Sequence, residues 1–362
     1  MRALLLIAAA ILLLAGVAWF MTTSRPHAKP AAASPGAAAA PAGESGAAAN
    51  RRSSAPPRIA PPPPTTKSAG EVVLRGAWGS GPGEFGRRRE QESNPEAPMA
   101  IAAGGRGDFA VVDQINRRVQ RFHDGKMIAA IPIGGDTVQD LALGPNGRTL
   151  LLDRLADRNV QVYDSSGKLS NEVSLVGPGV KEGGAVTGVF ADDSGIYVES
   201  DHATVVRIAD PDGKPDANRP QLLGRPTRDG RLLVTAAIAA RGAAEVTVSA
   251  VDRASGQPSW STVVPCGAPI LHLVMLDSDK SGQVYVAADV GDEAPAPPFQ
   301  ILNERIVVTR LGSGGAPRGA ITVPPFPTAD ETFRPMSVDD DGSILVMVAG
   351  ERGLEVVRYT FP

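Results

Sequence analysis

The sequence predicts an all-β protein: a six-bladed β-propeller that follows an N-terminal hydrophobic segment and a disordered Pro/Ala-rich linker. Three observations support this. Residues 3–21 contain no charged side chain, residues 22–70 are of low complexity, and residues 71–362 repeat a pattern of short β-prone runs separated by Gly, Asp and Asn turns. Segments ordered in this way indicate three units, 1–21, 22–70 and 71–362, of which only the last can bury a core.

The hydrophobic run is long enough to cross a membrane. It covers the 19 residues 3–21 and follows Arg2, and a helix of that length at about 1.5 Å per residue matches a hydrocarbon core of roughly 30 Å. Residues 16–18 form a weak small-x-small cleavage site, but the apolar run continues through 19–21, which favours a retained signal-anchor. We expect an inner-membrane anchor with the propeller in the periplasm or on the outer side. Secretion after signal cleavage is the alternative.

The linker lacks the side chains needed for a core. Residues 22–70 include 10 prolines and 15 alanines and no aromatic residue, so burial cannot offset the loss of chain entropy on folding. The run of four prolines at 61–64 favours stiff polyproline II. We expect a disordered spacer that holds the propeller away from the membrane.

Charge and cysteine content exclude several functional classes. The formal net charge is −3, and residues 1–70 contribute +6, so the domain carries −9. This acidity argues against nucleic-acid binding, which needs a basic surface to neutralise phosphates. The single cysteine, Cys266, excludes an intrachain disulfide and a cysteine-based zinc site, and we expect it to be a buried apolar residue. We expect no cofactor.

The repeats predict the blade count. Residues 98–126 align with 138–168 at offsets of 40 to 42, matching Gly107 with Gly147 and Asp113 with Asp153. Weaker copies follow at 187–214, 228–257, 273–315 and 336–361. A repeat of about 40–50 residues with four strands is typical of a propeller blade. The sixth unit ends on its third strand, so we expect residues 71–78 to supply its outer strand and close the ring. Residues 214–228 fit the pattern poorly, which leaves five or seven blades open.

The first unit resembles an NHL repeat. The resemblance is carried by Pro98, by Gly107-Asp108, by Val111-Val112-Asp113, and by the run from Asn116 to Phe122. The second unit keeps the Gly, Asp and Val-Gln elements, and the other four are degenerate. The resemblance implies an NHL-like propeller but no activity, because such propellers include both binding modules and enzymes.

Two insertions depart from the repeat and suggest a binding surface. Residues 87–97 join the outer strand of one blade to the inner strand of the next, whereas 291–303 lie between the second and third strands of the fifth unit. Both connections, like the 116–118 turn, open on one face, and loops on a rigid scaffold often carry binding residues. The predicted partner-contacting residues are Arg87, Arg88, Arg89, Asn116, Arg117, Arg118 and Phe299. The opposing interpretation is that Asp113 and a neighbouring arginine only fix their own turn.

These features predict a membrane-tethered scaffold that binds a protein or a cell-envelope polymer. The sequence contains four histidines and no Gly-x-Ser-x-Gly elbow, His-Glu-x-x-His motif or phosphate loop, so we do not expect an enzyme. Residues 339–341 resemble a calcium loop only in composition and are better interpreted as a β-turn. The alternative function is a metal-dependent propeller hydrolase or lyase, similar to gluconolactonase-like enzymes. It would require an acidic or histidine cluster along the central channel.

Overall fold

The computed structural model describes residues 58–59 and 65–362, which form six antiparallel blades. Helical structure in these residues is limited to three short 3-10 turns. The predicted 1–21 anchor lies outside the described residues, and so do residues 22–57 and 60–64 of the predicted linker, including its run of four prolines. No helix among the described residues is long and apolar enough to cross a membrane.

Two short strands precede the ring, β1 (Arg58–Ile59) and β2 (Thr65–Lys67). The next strand, β3 (Glu71–Ala77), belongs to blade 6. Blade 1 contains β4 (Ala100–Gly105), β5 (Asp108–Asp113), β6 (Arg118–His123) and β7 (Lys126–Pro132). Blade 2 contains β8 (Asp140–Leu143), β9 (Thr149–Asp153), β10 (Asn159–Tyr163) and β11 (Leu169–Ser174). Blade 3 contains β12 (Val186–Asp192), β13 (Gly195–Ser200), β14 (Thr204–Ala209) and β15 (Gln221–Leu222).

The second half of the ring repeats this order. Blade 4 contains β16 (Arg225–Pro226), β17 (Leu232–Ile238), β18 (Glu245–Asp252) and β19 (Pro258–Pro265). Blade 5 contains β20 (Ile270–Ser278), β21 (Val284–Glu293), β22 (Ile301–Leu311) and β23 (Pro317–Val323). Blade 6 contains β24 (Met336–Val338), β25 (Ile344–Ala349) and β26 (Gly353–Tyr359), followed in the sheet by β3. The predicted six blades are therefore confirmed.

Strand β3 closes the ring as predicted. Strand β3 pairs antiparallel with β26, from Gly353 opposite Ala77 to Arg358 opposite Glu71. Leu74 of β3 is buried in an apolar cluster together with side chains of blades 1 and 6. Pairing the first strand of the ring with the last one covers the edge that β26 would otherwise expose.

The end of the predicted linker contains strands where none was expected. β1 pairs in parallel with β19 on the outer edge of blade 4, and β2 pairs in parallel with β23 on the outer edge of blade 5. The backbone N–H and C=O groups of an edge strand are free to accept a neighbouring extended chain. Disorder was inferred from side-chain composition, which carries no information about this backbone pairing.

Blade-to-blade packing is apolar at five junctions. Five clusters of buried side chains in the described chain join blades 1 and 2, 2 and 3, 4 and 5, 5 and 6, and 6 and 1. Polar contacts cross between blades 3 and 4, where Arg253 contacts Asp192 and donates to the Tyr197 hydroxyl at 2.6 Å. Burial, followed by the neighbouring Asp192, raises the pKa of Tyr197 to about 12.

Candidate functional site

Two faces of the ring follow from the strand order. The turns between first and second strands, and between third and fourth strands, open on one side, here called the lower face. The blade-to-blade connections and the turns between second and third strands open on the other side, the upper face. Both insertions and the 116–118 turn belong to the upper face, as the sequence predicted.

Part of the predicted binding surface is bonded within the propeller itself. The Arg87 guanidinium donates to both carboxylate oxygens of Asp330, at 3.0 and 2.6 Å, and to the Gly350 carbonyl at 3.1 Å. The Asp330 side chain is fully buried and that of Arg87 is 9% exposed. The Arg87 guanidinium also lies 4.7 Å from the centre of the Trp78 ring. Arg87 therefore anchors the 87–97 segment within the propeller, and its contact with a partner stays a prediction.

The 116–118 turn of blade 1 also makes its hydrogen bonds within the propeller. The buried carboxylate of Asp113 accepts hydrogen bonds from Arg118 Nε at 2.8 Å and from Asn116 Nδ2 at 3.0 Å. Arg118 also donates to the carbonyls of Ser80, Gly81 and Glu84. The Asp113–Arg118 pair therefore fixes its own turn. Together with Asn116 it also attaches the segment after β3 to blade 1.

The remaining predicted residues face solvent to different degrees. Arg88 is partly exposed and donates to Asp136 at 2.7 Å, which lowers the pKa of that carboxyl. Arg89 is about half exposed and lies 3.7 Å from Asp330 and 3.9 Å from Glu351. Arg117 is exposed, and so is Phe299. Of the seven predicted residues, Arg89, Arg117 and Phe299 are the exposed ones.

The fifth-blade insertion is a projecting hairpin and not an irregular loop. The β21–β22 ladder continues past Val290 opposite Arg305 to Asp292 opposite Leu302 and Glu293 opposite Ile301. Every residue from 295 to 304 is exposed. Phe299 lies at the tip, where its backbone amide donates to the Ala296 carbonyl at 3.0 Å. We call residues 291–303 the blade-5 hairpin.

Exposed apolar side chains concentrate on the upper face. Ten large apolar side chains of the described residues are exposed, and seven belong to turns, connections or strand ends of this face. These seven are Leu155, Val176, Leu223, Leu271, Phe299, Ile301 and Leu302. Scattered exposed apolar residues are normal on folded proteins, and it is contiguous apolar patches that mark interaction sites. These seven residues share one face of the ring. Of these seven, the sequence analysis predicted only Phe299. Apolar residues inside otherwise polar turns, such as Leu155, would have indicated the others.

The central axis is lined by ion pairs around an aromatic ring. The inner strands of neighbouring blades contact each other around this axis. Phe190 of β12 lies between two guanidinium groups, with Arg225 at 4.8 Å and Arg334 at 4.9 Å from the ring centre. These distances are typical of cation–π contacts.

Both of these arginines are paired with carboxylates. Arg225 donates to the two Glu199 oxygens at 2.8 and 2.6 Å. Arg334, just before β24 of blade 6, reaches the fully buried Asp140 of blade 2 at 2.6 Å. Burial raises the pKa of Glu199, but Arg225 more than offsets it, and that pKa lies below its ordinary value. Across the described residues, no group of three or more His, Cys, Asp or Glu side chains is placed to hold a metal ion.

The lower face contains an open depression of about 560 Å³, and its lining residues are Arg106, Gly107, Asp124, Lys280, Asp339, Asp340, Asp341 and Arg358. Its charges largely pair with one another: Lys280 lies 2.6 Å from Asp340, and Arg358 lies 3.7 Å from Asp339. Residues 339–342 form the turn between β24 and β25, with the Gly342 amide donating to the Asp339 carbonyl. This is the β-turn that the sequence predicted.

Comparisons with known proteins give no family for this chain. No family model matches this chain, and no curated protein matches it, so the NHL resemblance stays a prediction. Among solved structures, hydrazine synthase from Kuenenia stuttgartiensis matches at 15% identity and a TM-score of 0.47, over 73% of this chain and 78% of that one.

A protein of unknown function from Bacteroides caccae matches at 13% identity and a TM-score of 0.38, over 65% of this chain and 83% of that one. A streptogramin B lyase matches at 10% identity and a TM-score of 0.38, over 76% and 97%. Likenesses this distant say nothing about activity. The six sheets themselves establish that this chain contains a six-bladed β-propeller.

Proposed function

We propose that this chain is a membrane-tethered scaffold of the cell envelope, and that its propeller binds a protein partner through the upper face. The single observation that carries this proposal is the blade-5 hairpin with its exposed apolar tip. Phe299, Ile301 and Leu302 are exposed on an arm that extends beyond the blade. Large apolar side chains on a regular, pre-formed hairpin provide an interface anchor at little cost in chain entropy.

The rest of the upper face supports the same role. Leu155, Val176 and Leu223 add apolar area on blades 2 and 3, and Arg117 adds an exposed charge on blade 1. Protein–protein interfaces combine apolar side chains with polar and charged ones. A protein is favoured over an envelope polymer, because the hairpin exposes three large apolar side chains, Phe299, Ile301 and Leu302.

The alternative hydrolase or lyase would need catalytic or metal-binding side chains along the central axis. The arginines on this axis are bound to Glu199 and Asp140, and the described residues offer no metal-ligand group there. The tether is inferred from the sequence alone: the uncharged run at 3–21 followed by a Pro/Ala-rich segment.

Site-specific photo-crosslinking in the native envelope tests this function. Phe299 is replaced by p-benzoylphenylalanine in the full-length chain, with the same replacement at Ile128 as a control. The control is well matched because Phe299 is 52% exposed and Ile128 is 56% exposed, but Ile128 lies on the outer strand β7. We expect one discrete protein adduct at 299, displaced by excess unlabelled chain, and none at 128. Equal labelling at both positions, or none at 299, would contradict the proposal.

A further inference from the structure

We propose that the blade-5 hairpin inserts into a protein groove that has an apolar floor and basic side chains along one edge. This inference rests on the proposed binding function and specifies the chemistry of the partner. It follows from the way that the hairpin distributes apolar and acidic residues between its two strands.

The hairpin has an acidic strand and an apolar strand. Glu293 of β21 lies directly opposite Ile301 of β22, and Asp292 lies opposite Leu302. Directly opposite residues of an antiparallel pair point to the same side of the sheet, with Cβ atoms about 4.5–5.5 Å apart. Each exposed apolar side chain of β22 therefore has a carboxylate beside it, and this arrangement is repeated on both sides of the hairpin.

The two carboxylates are largely free of internal partners. The Glu293 side chain makes no hydrogen bond or ion pair with any described residue, and Asp292 accepts one long hydrogen bond, from Asn303 Nδ2 at 3.3 Å. Arg305, at the base of the hairpin, donates instead to the Asn303 carbonyl at 3.0 Å. Burying an unpaired carboxylate is costly. A partner that covers Ile301 and Leu302 must therefore supply cationic groups to Asp292 and Glu293.

A lipid surface is a poorer fit to the same hairpin. Side chains such as Phe299 and Ile301 enter the membrane interface readily when Lys and Arg flank them, because cations are attracted to anionic headgroups. Here the flanking charges are negative, and residues 71–362 carry a net charge of −9. Both would oppose approach to an anionic surface, so the charge pattern favours a basic protein groove.

Charge reversal beside the photo-crosslinker tests this inference. In the full-length chain with p-benzoylphenylalanine at 299, the D292K/E293K variant is compared with D292N/E293Q and with the parent. A D193K/E172K variant is the control for net charge, because Asp193 lies in a lower-face turn and Glu172 on the outer strand β11 of blade 2. Unfolding midpoints of all variants are measured to show that the fold is retained, and the crosslinked peptide is identified by mass spectrometry.

We expect D292K/E293K to reduce the adduct by about tenfold or more, D292N/E293Q to reduce it less, and D193K/E172K to leave it unchanged. The crosslinked peptide should border exposed Lys or Arg residues. An adduct of undiminished yield in D292K/E293K would overturn the inference and leave the binding function intact. A lipid adduct at 299, or no adduct in the parent, would overturn both.

Discussion

Replacing Arg87 by alanine should destabilise the propeller far more than replacing an exposed arginine of the same region. Arg87 donates three hydrogen bonds, two of them to a carboxylate with no solvent exposure, and packs on Trp78. Removing one partner of a buried ion pair typically costs about 3–5 kcal/mol, because the other charge stays buried. Arg89 lies 3.7 Å from the same carboxylate and can compensate in part, so we expect about 3 kcal/mol.

The matched control is Arg75→Ala. Arg75 pairs with Glu355 at 3.0 Å, but the two side chains are 72% and 41% exposed, and such surface pairs contribute at most about 1 kcal/mol. Urea unfolding followed by tryptophan fluorescence measures both, and Trp78 reports directly on the site. Removing both partners, in Arg87→Met with Asp330→Leu, should cost less than Arg87→Ala alone. Equal costs for Arg87→Ala and Arg75→Ala would refute the reasoning and leave Arg87 available to a partner.

Three further predictions concern the ring. Deleting residues 71–78 should lower the melting temperature by well over 10 °C in a calorimetric scan, because it unpairs the outer strand of blade 6; an unchanged melting temperature would exclude closure by this strand. Since Arg225 lowers the pKa of Glu199, that carboxylate stabilises the fold above its ordinary pKa, and the contribution is lost as pH falls through the lower folded value. Glu199→Gln should therefore flatten the loss of stability below about pH 4.5 in acid titrations, and an unaltered profile would exclude the pair as a contributor. Burial raises the pKa of Cys266 to about 11, so a maleimide at pH 7 should label it only after unfolding, whereas rapid native labelling would show that the thiol is accessible.

The sequence predicted the ring because each blade repeats a local pattern. Gly turns such as Gly107 and Gly282, both at positive φ, recur between β-prone runs. The sixth repeat has only three strands of its own, which indicated that residues 71–78 supply the fourth. Between blades 3 and 4 the pattern was faint. There β15 and β16 contain only two residues each, which is too short for the alternation of apolar and polar residues that identifies a strand.

The site was less predictable, because its decisive contacts are long-range. Nothing near Arg87 in the sequence shows that a buried Asp330 will pair with it 243 positions later. Arg334 likewise reaches Asp140 across the ring axis. The exposure of Phe299 could be predicted, because the prolines and polar residues that flank it in the sequence are not typical of a core strand. The continuation of the strand ladder to Glu293 and Ile301 depends on pairing that the Pro-rich turn obscures.

Shortening the blade-5 hairpin is the most direct test of its role as the binding element. Residues 292–303 are replaced by a short Gly-Ser turn, which keeps the ladder up to Val290 and Arg305. The full-length variant is then used to co-purify the partner identified by crosslinking at 299, and its unfolding midpoint is compared with that of the parent. We predict an unchanged midpoint and loss of the partner. A folded, shortened chain that retains the partner at the parental level would contradict the central claim and move the binding site off the hairpin.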